Sequence, residues 1–290
     1  MSAYTQTTQY LKTLDRSAGT IKTYTWALSY YFDIAGEVLG DKQYETFLAA
    51  INKMKPSTKR VLRSAVMGLY AFFEAGDPSK RSRLNKHYTQ RIKTKPVMFD
   101  RDAVEKVITY CESLHHGLIE LRDAAFVITL ADSGLRISEL SSLKRGDIDW
   151  HDERVMVTGK GEKTAVVRLS KRSLAALKAY LLERQGYAWE TGKPLGSTPL
   201  FIQHGKVHTI KQMTTDGMRK SLKLRMMEAG VNVRVHDFRH YFVTMVMLSS
   251  NGNLKLAQEL ARHESVQTTQ RYAHFANSDL DENYNVIFNK

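Results

Sequence analysis

Where the apolar pattern of this chain is strong it recurs at helical spacing, and that period leaves little room for a sheet-based fold. Thr20, Tyr24, Leu28 and Tyr31 make one such run, and Val61, Ala65, Leu69 and Phe72 make another. Pro56 and Ser57 ahead of the second run read as a helix start, and Gly76-Asp77-Pro78 closes it. Farther on, Asp100 to Tyr110 opens a helix. Leu121 to Leu130 forms an apolar helix leading into Ser133-Gly134-Leu135-Arg136, with Glu139 and Leu143 continuing its face. The exceptions are two short β-branched runs, Arg154 to Thr158 and Thr164 to Leu169, separated by Gly159-Lys160-Gly161-Glu162-Lys163. That is a hairpin signal with Lys160 in its turn region. The expected fold class is mainly α with a small antiparallel sheet.

The 290 residues suffice for one large domain or two ordinary ones, and 42% hydrophobic content supports real cores. A net charge of +13 favours a polyanionic partner. The charge is lopsided: residues 1–96 hold 16 Lys+Arg against 7 Asp+Glu, and residues 97–290 hold 27 against 23. This predicts a basic binding module joined to a nearly balanced one. Ser79 to Lys95 is basic and poor in aliphatics, a connector suited to a clamp around a duplex. Cys111 is the only cysteine, which excludes an intrachain disulfide and a cysteine-based zinc cluster. It sits in an apolar stretch and reads as core. No segment reaches the ~18 apolar residues of a membrane span, and the N-terminus lacks a basic start, so a soluble, cytoplasmic chain is expected.

Arg136, Lys160, His236, Arg239, His263 and Tyr272 form, in that order, a parts list for attacking a phosphodiester. Phosphoryl transfer asks a protein for fixed cations around the phosphate, a nucleophile and a proton donor. A tyrosine of ordinary pKa near ~10 is phenolate in about one molecule in a thousand at neutral pH, a handicap of roughly 4 kcal/mol that nearby cations must lower. Tyr272 follows Thr268, Thr269, Gln270 and Arg271, a polar setting that predicts an accessible hydroxyl. His236 and Arg239 are spaced to share one helix face. His236 and His240 also approximate a zinc-peptidase pattern with Asp237 in the Glu position, against which Arg239 argues. Asp147, Asp149, His151, Asp152 and Glu153 offer a metal-nuclease alternative but read better as a solvated turn.

These residues resemble the tyrosine recombinase (phage integrase) family, in particular its compact Xer-type members. The matching elements are Ser133-Gly134-Leu135-Arg136-x-x-Glu139-Leu140, the Gly159-Lys160-Gly161 hairpin, His236-x-x-Arg239-His240, and His263 nine residues before Tyr272. Thr20-x-x-x-Tyr24 and Ser57-Thr58 add a likeness to the family's core-binding domain. The resemblance implies an all-helical, SAM-like core-binding domain over residues 1–84, a basic linker over 85–96, and a catalytic domain over 97–290 ending in a tail helix at about 277–290. It implies that Arg136 and Arg239 clamp the scissile phosphate, that His236 and His263 hold it and manage protons, and that Lys160 protonates the departing 5′ oxygen. Tyr272 would become a 3′-phosphotyrosine, with Glu139, Asp237 and His240 as supporting groups.

The implied activity is site-specific cleavage and rejoining of double-stranded DNA through a Holliday junction, with neither ATP nor metal as cofactor. The alternatives are a relaxing topoisomerase using the same tyrosine route and a catalytically impaired DNA-binding relative. Self-association as a tetramer on DNA is expected through the tail stripe Leu280, Tyr284, Ile287 and Phe288, with accessory DNA-bending proteins as further partners. Lys59, Arg60 and Arg63 are candidate DNA contacts by their basic clustering. One departure stands out. The family commonly has Gly immediately before the second His, whereas Arg262 precedes His263 here.

Overall fold

The computed structural model describes residues 3–73, 96–158, 164–185, 197–203 and 210–275. The chain divides into two compact units, Met1–Lys93 and Thr94–Lys290.

The N-terminal unit contains α1 (Ala3–Thr13), α2 (Ala18–Ala35), α3 (Asp41–Ile51) and α4 (Pro56–Phe73). The two periodic runs lie on α2 and α4, and their apolar faces pack together: Ala27, Leu28 and Tyr31 meet Leu62, Ala65, Val66 and Leu69, with Phe47 and Ile51 of α3. Pro56 begins α4 as its missing N–H allows. Inside this core the Tyr31 and Tyr70 hydroxyls share a 2.7 Å hydrogen bond, and Tyr70 also donates to the Gly40 carbonyl at 2.9 Å. The phenols of Tyr31 and Tyr70 are thereby satisfied, as is usual for buried polar groups.

The second unit contains α5 (Arg101–Glu112), α6 (Leu118–Ser133), α7 (Ile137–Ser142), strands β1 (Ile148–Asp149), β2 (Arg154–Thr158) and β3 (Thr164–Arg168), then α8 (Lys171–Gln185), α9 (Thr215–Glu228), α10 (Val235–Ser249), α11 (Leu254–Ala261) and α12 (Val266–Gln270). Asp100 caps α5, accepting the Ala103 N–H at 2.9 Å. The strands form an antiparallel sheet in the order β1-β2-β3, with Val155 opposite Ile148 on one side and Val167 on the other. Val155 and Val157 point into the core while Arg154, Met156 and Thr158 face out. The turn holding Lys160 lies outside the described residues. β1 was not anticipated, because two residues carry no readable period.

Helix α6 is the centre of this unit. Every residue from Arg122 to Ala131 is buried, so it is apolar nearly all round rather than on one stripe. Its polar start is handled by an internal ion network. Asp123 accepts Arg122 Nε at 2.9 Å on one oxygen and Arg225 Nε of α9 at 3.0 Å on the other, and Arg225 continues to Glu228 at 2.7 Å. Cys111 is buried in the same core, and burial pushes its thiol up to about 12. Removing the carboxylate charge would leave two buried guanidinium groups short of a partner. Asp123→Asn is therefore expected to cost about 3–5 kcal/mol of stability, read as a lowered denaturation midpoint at unchanged m-value.

Candidate active site

The site is built where three helices of the second unit end or begin. α6 stops at Gly134, whose φ of 61° and ψ of 18° are left-handed. A Cβ there would collide with the Phe242 ring, so glycine is required on both backbone and steric grounds. The face expected to run on from Leu130 through Glu139 to Leu143 is broken at this point. Arg136 is instead the extended N-cap of a new, short helix, α7, and Leu143 is the residue that caps its other end. The break turns the Arg136 side chain outward, 48% exposed, while Leu135 stays buried.

α11 ends in a similar left-handed turn, and here the residue is Arg262, with φ 56° and ψ 48°. The Arg262 N–H reaches the Glu259 carbonyl at 3.0 Å and the His263 N–H reaches Gln258 at 3.0 Å, the paired bonds of a Schellman motif. A side chain in this conformation costs roughly 1–2 kcal/mol relative to glycine. The Arg262 side chain turns inward: it is 17% exposed and donates from a terminal nitrogen to Glu139 Oε2 at 2.8 Å.

Glu139 is buried and multiply bonded. Its Oε2 also accepts the Arg136 backbone N–H at 2.8 Å, and its Oε1 accepts Arg136 Nη1 at 2.9 Å. Burial works against its ionised form, but these donors and the Arg262 charge hold its pKa below the usual carboxylate range. Asp237 does a related job at the start of α10, accepting the Arg234 N–H at 2.8 Å and its guanidinium.

Arg239 projects from α10 into the space between the two left-handed turns. Its Nη1 donates to the Gly134 carbonyl and its Nη2 to the Ala261 carbonyl, at the C-terminal ends of α6 and α11. Burial, with Arg136 and Arg262 nearby, lowers its pKa to about 10, which still leaves it charged at neutral pH.

The aromatic nitrogens and the phenol complete the cluster. His236 and His240, one turn apart on α10, lie with ring centroids 4.6 Å apart. The pKa values of His240 and His263 are lowered to about 4, by burial first and then by the surrounding cations and histidines. His236 is lowered too, by desolvation and then by Arg239. His263 Nδ1 is held by Thr269 Oγ1 at 2.9 Å, and its ring stacks 6.4 Å from that of Tyr272.

Tyr272 departs from expectation. It is 2% exposed, packed with Val97, Val243, Met247 and Ala261, and its hydroxyl shares a hydrogen bond with His240 Nδ1. Burial raises its pKa to about 12 against the opposing pull of Arg239 and Arg271. The polar flank that suggested an accessible hydroxyl misleads because buried Thr269, not Tyr272 alone, anchors this turn to the domain.

The structure thus brings Arg136, His236, Arg239, His263 and Tyr272 together, with Glu139, Asp237 and His240 beneath them. Lys160 and the tail from Asn277 lie outside the described residues. Lys59, Arg60 and Arg63 lie on α4 of the other unit. Asp149 folds back to accept the His151 and Asp152 N–H groups, each at 3.0 Å, as a turn does. Among the described residues no group of three or more His, Cys, Asp or Glu side chains is arranged to hold a metal ion. Nor is any described helix long and apolar enough to cross a membrane. Sequence reasoning missed the roles of Arg234 and Arg262: Arg234-x-x-Asp237 stands in the sequence as a helix-start signal with the acid in the third helical position, whereas nothing beside Arg262 points to Glu139.

Residues 98–279 match the phage integrase family. The chain belongs to that family. It is similar to tyrosine recombinase XerD of Listeria monocytogenes serovar 1/2a, 28% identical over 92% of each chain. It is also similar to tyrosine recombinase XerA of Pyrococcus horikoshii, 28% identical over 94% of this chain and 89% of the relative. Among solved structures, the Tn1549 transposon integrase in complex with transposon right-end DNA shares the fold with a TM-score of 0.72 over 100% of both chains, at 14% identity. The integrase-family assignment accounts for the mainly helical architecture with its small sheet.

The histidine environment has a measurable consequence. His240 and His263 fall from an ordinary 6.5 to about 4 on folding, so between those values the unfolded chain binds protons that the native site refuses. The stability is complete above pH 6.5 and is lost as pH falls toward 4. A series of melting curves should show this decline beginning well above the carboxylate range, and His240→Asn should flatten it.

Proposed function

We propose that this chain, a site-specific tyrosine recombinase by family, cuts and rejoins double-stranded DNA through Tyr272. Arg136 and Arg239 bind the non-bridging oxygens of the scissile phosphate, and His236 and His263 hold the phosphate and handle protons. The Tyr272 oxygen attacks phosphorus, the bond to the 5′ oxygen breaks, and Lys160 protonates the oxygen that leaves. The phenol proton passes to a neutral histidine, which the lowered pKa values make available at pH 7. The 3′-phosphotyrosine keeps the energy of the broken bond, so a second 5′-hydroxyl can reverse the step without ATP or metal. The observation that carries this reading is the meeting of exposed Arg136, buried Arg239 and Tyr272 at the ends of three helices far apart in sequence.

In the structure the phenol faces His240, so attack requires the Tyr272 turn to swing out. The closed setting adds on the order of 3 kcal/mol to the cost of the phenolate. We assign residues 1–84 to gripping DNA, 85–96 to a basic linker and 97–290 to catalysis, with Lys59, Arg60 and Arg63 on phosphates. The tail over 277–290 docks on a neighbouring copy in a tetramer on the DNA, which accessory bending proteins assist, in the cytoplasm.

The deciding experiment uses duplex DNA selected by binding to the purified protein and nicked beside the bound site, with chelator present. A denaturant-resistant adduct that maps to Tyr272 is expected, absent in Tyr272→Phe and slowed about 10²–10³-fold in Arg239→Ala. Specific binding with no adduct would sink the catalytic reading in favour of a DNA-binding relative. Replacing Lys59, Arg60 and Arg63 together with Ala should flatten the slope of log affinity against log salt by roughly three. An unchanged slope removes them from the contact surface.

A further inference from the structure

Arg262 holds a strained left-handed backbone, its Nε is buried with no hydrogen-bond partner, and its terminal nitrogen is spent on Glu139. The Arg136 side chain keeps its guanidinium open to solvent. Arg262 does not.

The protein contains its own comparison. At the start of α10, Asp237 accepts Arg234 Nε at 3.2 Å on Oδ2 and Arg234 Nη2 at 2.9 Å on Oδ1, a two-pronged clasp, and no second arginine bonds to it among the described contacts. At the start of α7, the same Arg-x-x-acid arrangement is single-pronged. Glu139 takes only Nη1 of Arg136; its Oε2 holds the Arg136 backbone N–H together with Arg262 Nη2, where Asp237 Oδ2 holds the Arg234 backbone N–H together with Arg234 Nε. Beyond the extra methylene of Glu139, the difference between the two helix starts is the second guanidinium. A carboxylate clasped by both prongs neutralises the arginine that it holds.

We propose that Arg262 is a positioning residue: by occupying Oε2 of Glu139 and offsetting its charge, it keeps that carboxylate from clasping Arg136, whose outward edge and charge are left for a DNA phosphate. The claim rests on the reading of Arg136 as a phosphate ligand. It also gives the side chain at 262 a use that glycine, the better residue for the backbone there, could not have.

The test uses the nicked duplex described above, with Tyr272 adduct formation followed at saturating protein, in Arg262→Lys, Arg262→Gln, Arg262→Gly and Glu139→Gln chains and in the double variant Arg262→Gln with Glu139→Gln. Melting curves confirm that each is folded. Both Arg262→Gln and Arg262→Gly should slow the adduct by roughly tenfold or more, Arg262→Lys by less than about threefold, and Arg262→Gln in the Glu139→Gln background by less than about twofold, since no anion remains there to offset. Equal losses in both backgrounds would overturn the proposal, as would a wild-type rate in Arg262→Gly, which would reduce the effect to backbone strain. The same proteins titrated with inorganic phosphate by calorimetry should give the same order of affinities. If the wild type forms no adduct, the catalytic reading fails by itself, and the phosphate series still decides the positioning claim: affinities indifferent to residue 262 refute it.

Discussion

The guanidinium of Arg239, buried between the last carbonyls of two helices, is the interaction on which the rest of the site hangs. Helix C-termini carry partial negative charge and unpaired carbonyls, so a cation placed there is held by both the dipoles and direct hydrogen bonds. One side chain of α10 thereby fixes the ends of α6 and α11 relative to each other, through Gly134 and Ala261. The residues that follow those ends are Arg136 and His263. Each lies just beyond a left-handed turn, which aims it out of the helix it follows. The cost of burying this charge is visible in its lowered pKa, yet about 10 is far enough above neutrality that the clip stays protonated.

That arrangement sets the state of everything around it. Burial, with Arg239 and Arg136 near His263 and with His236 and Arg271 near His240, keeps both imidazoles neutral well below pH 7. Neutral imidazoles can accept a proton. A phosphate arriving at Arg136 and Arg239 would cancel part of this field and raise the histidine values toward normal, since a nearby opposite charge favours the charged form. In the proposed reaction the substrate therefore prepares its own proton acceptors.

Much of this was legible in the sequence, for identifiable reasons. The runs through Tyr31 and Leu69 show their helices because α2 and α4 each bury one side, and the strands of β2 and β3 show because Val155, Val157 and Val167 alternate with exposed residues. The residues that the structure brings together, Arg136, His236, Arg239, His263 and Tyr272, stand in the sequence as an ordered set. What the sequence did not show depends on contacts made far along the chain. Nothing beside Arg239 announces a carbonyl at Gly134, and nothing around Asp123 announces Arg225. Tyr272 looked accessible because its sequence neighbours are polar, whereas its true neighbours, Val97, Val243 and His240, come from other segments. Arg262, too, is tied to a residue far off in sequence. Its partner, Glu139, lies on a helix that a continuous apolar face had suggested did not start there.

The buried tyrosine and the lopsided charge of the chain are two ends of one energetic argument. Opening Tyr272 breaks its bond to His240 and exposes apolar packing against Val243 and Met247, so the closed form is favoured while nothing offsets that loss. In the proposed reaction the offset is not drawn from the scissile phosphate alone, because Arg239 must share its bonds to two carbonyls in order to hold it. It must come from parts of the DNA that do not react, in the manner by which binding energy remote from the chemistry is used at the reacting centre. The excess positive charge lies where such energy would be gathered, in residues 1–96 rather than around the site. On the proposed reading, a nucleophile that is costly to release and a basic module apart from it in sequence would make cleavage conditional on engaging a long stretch of duplex, which a short or ill-fitting DNA could not supply.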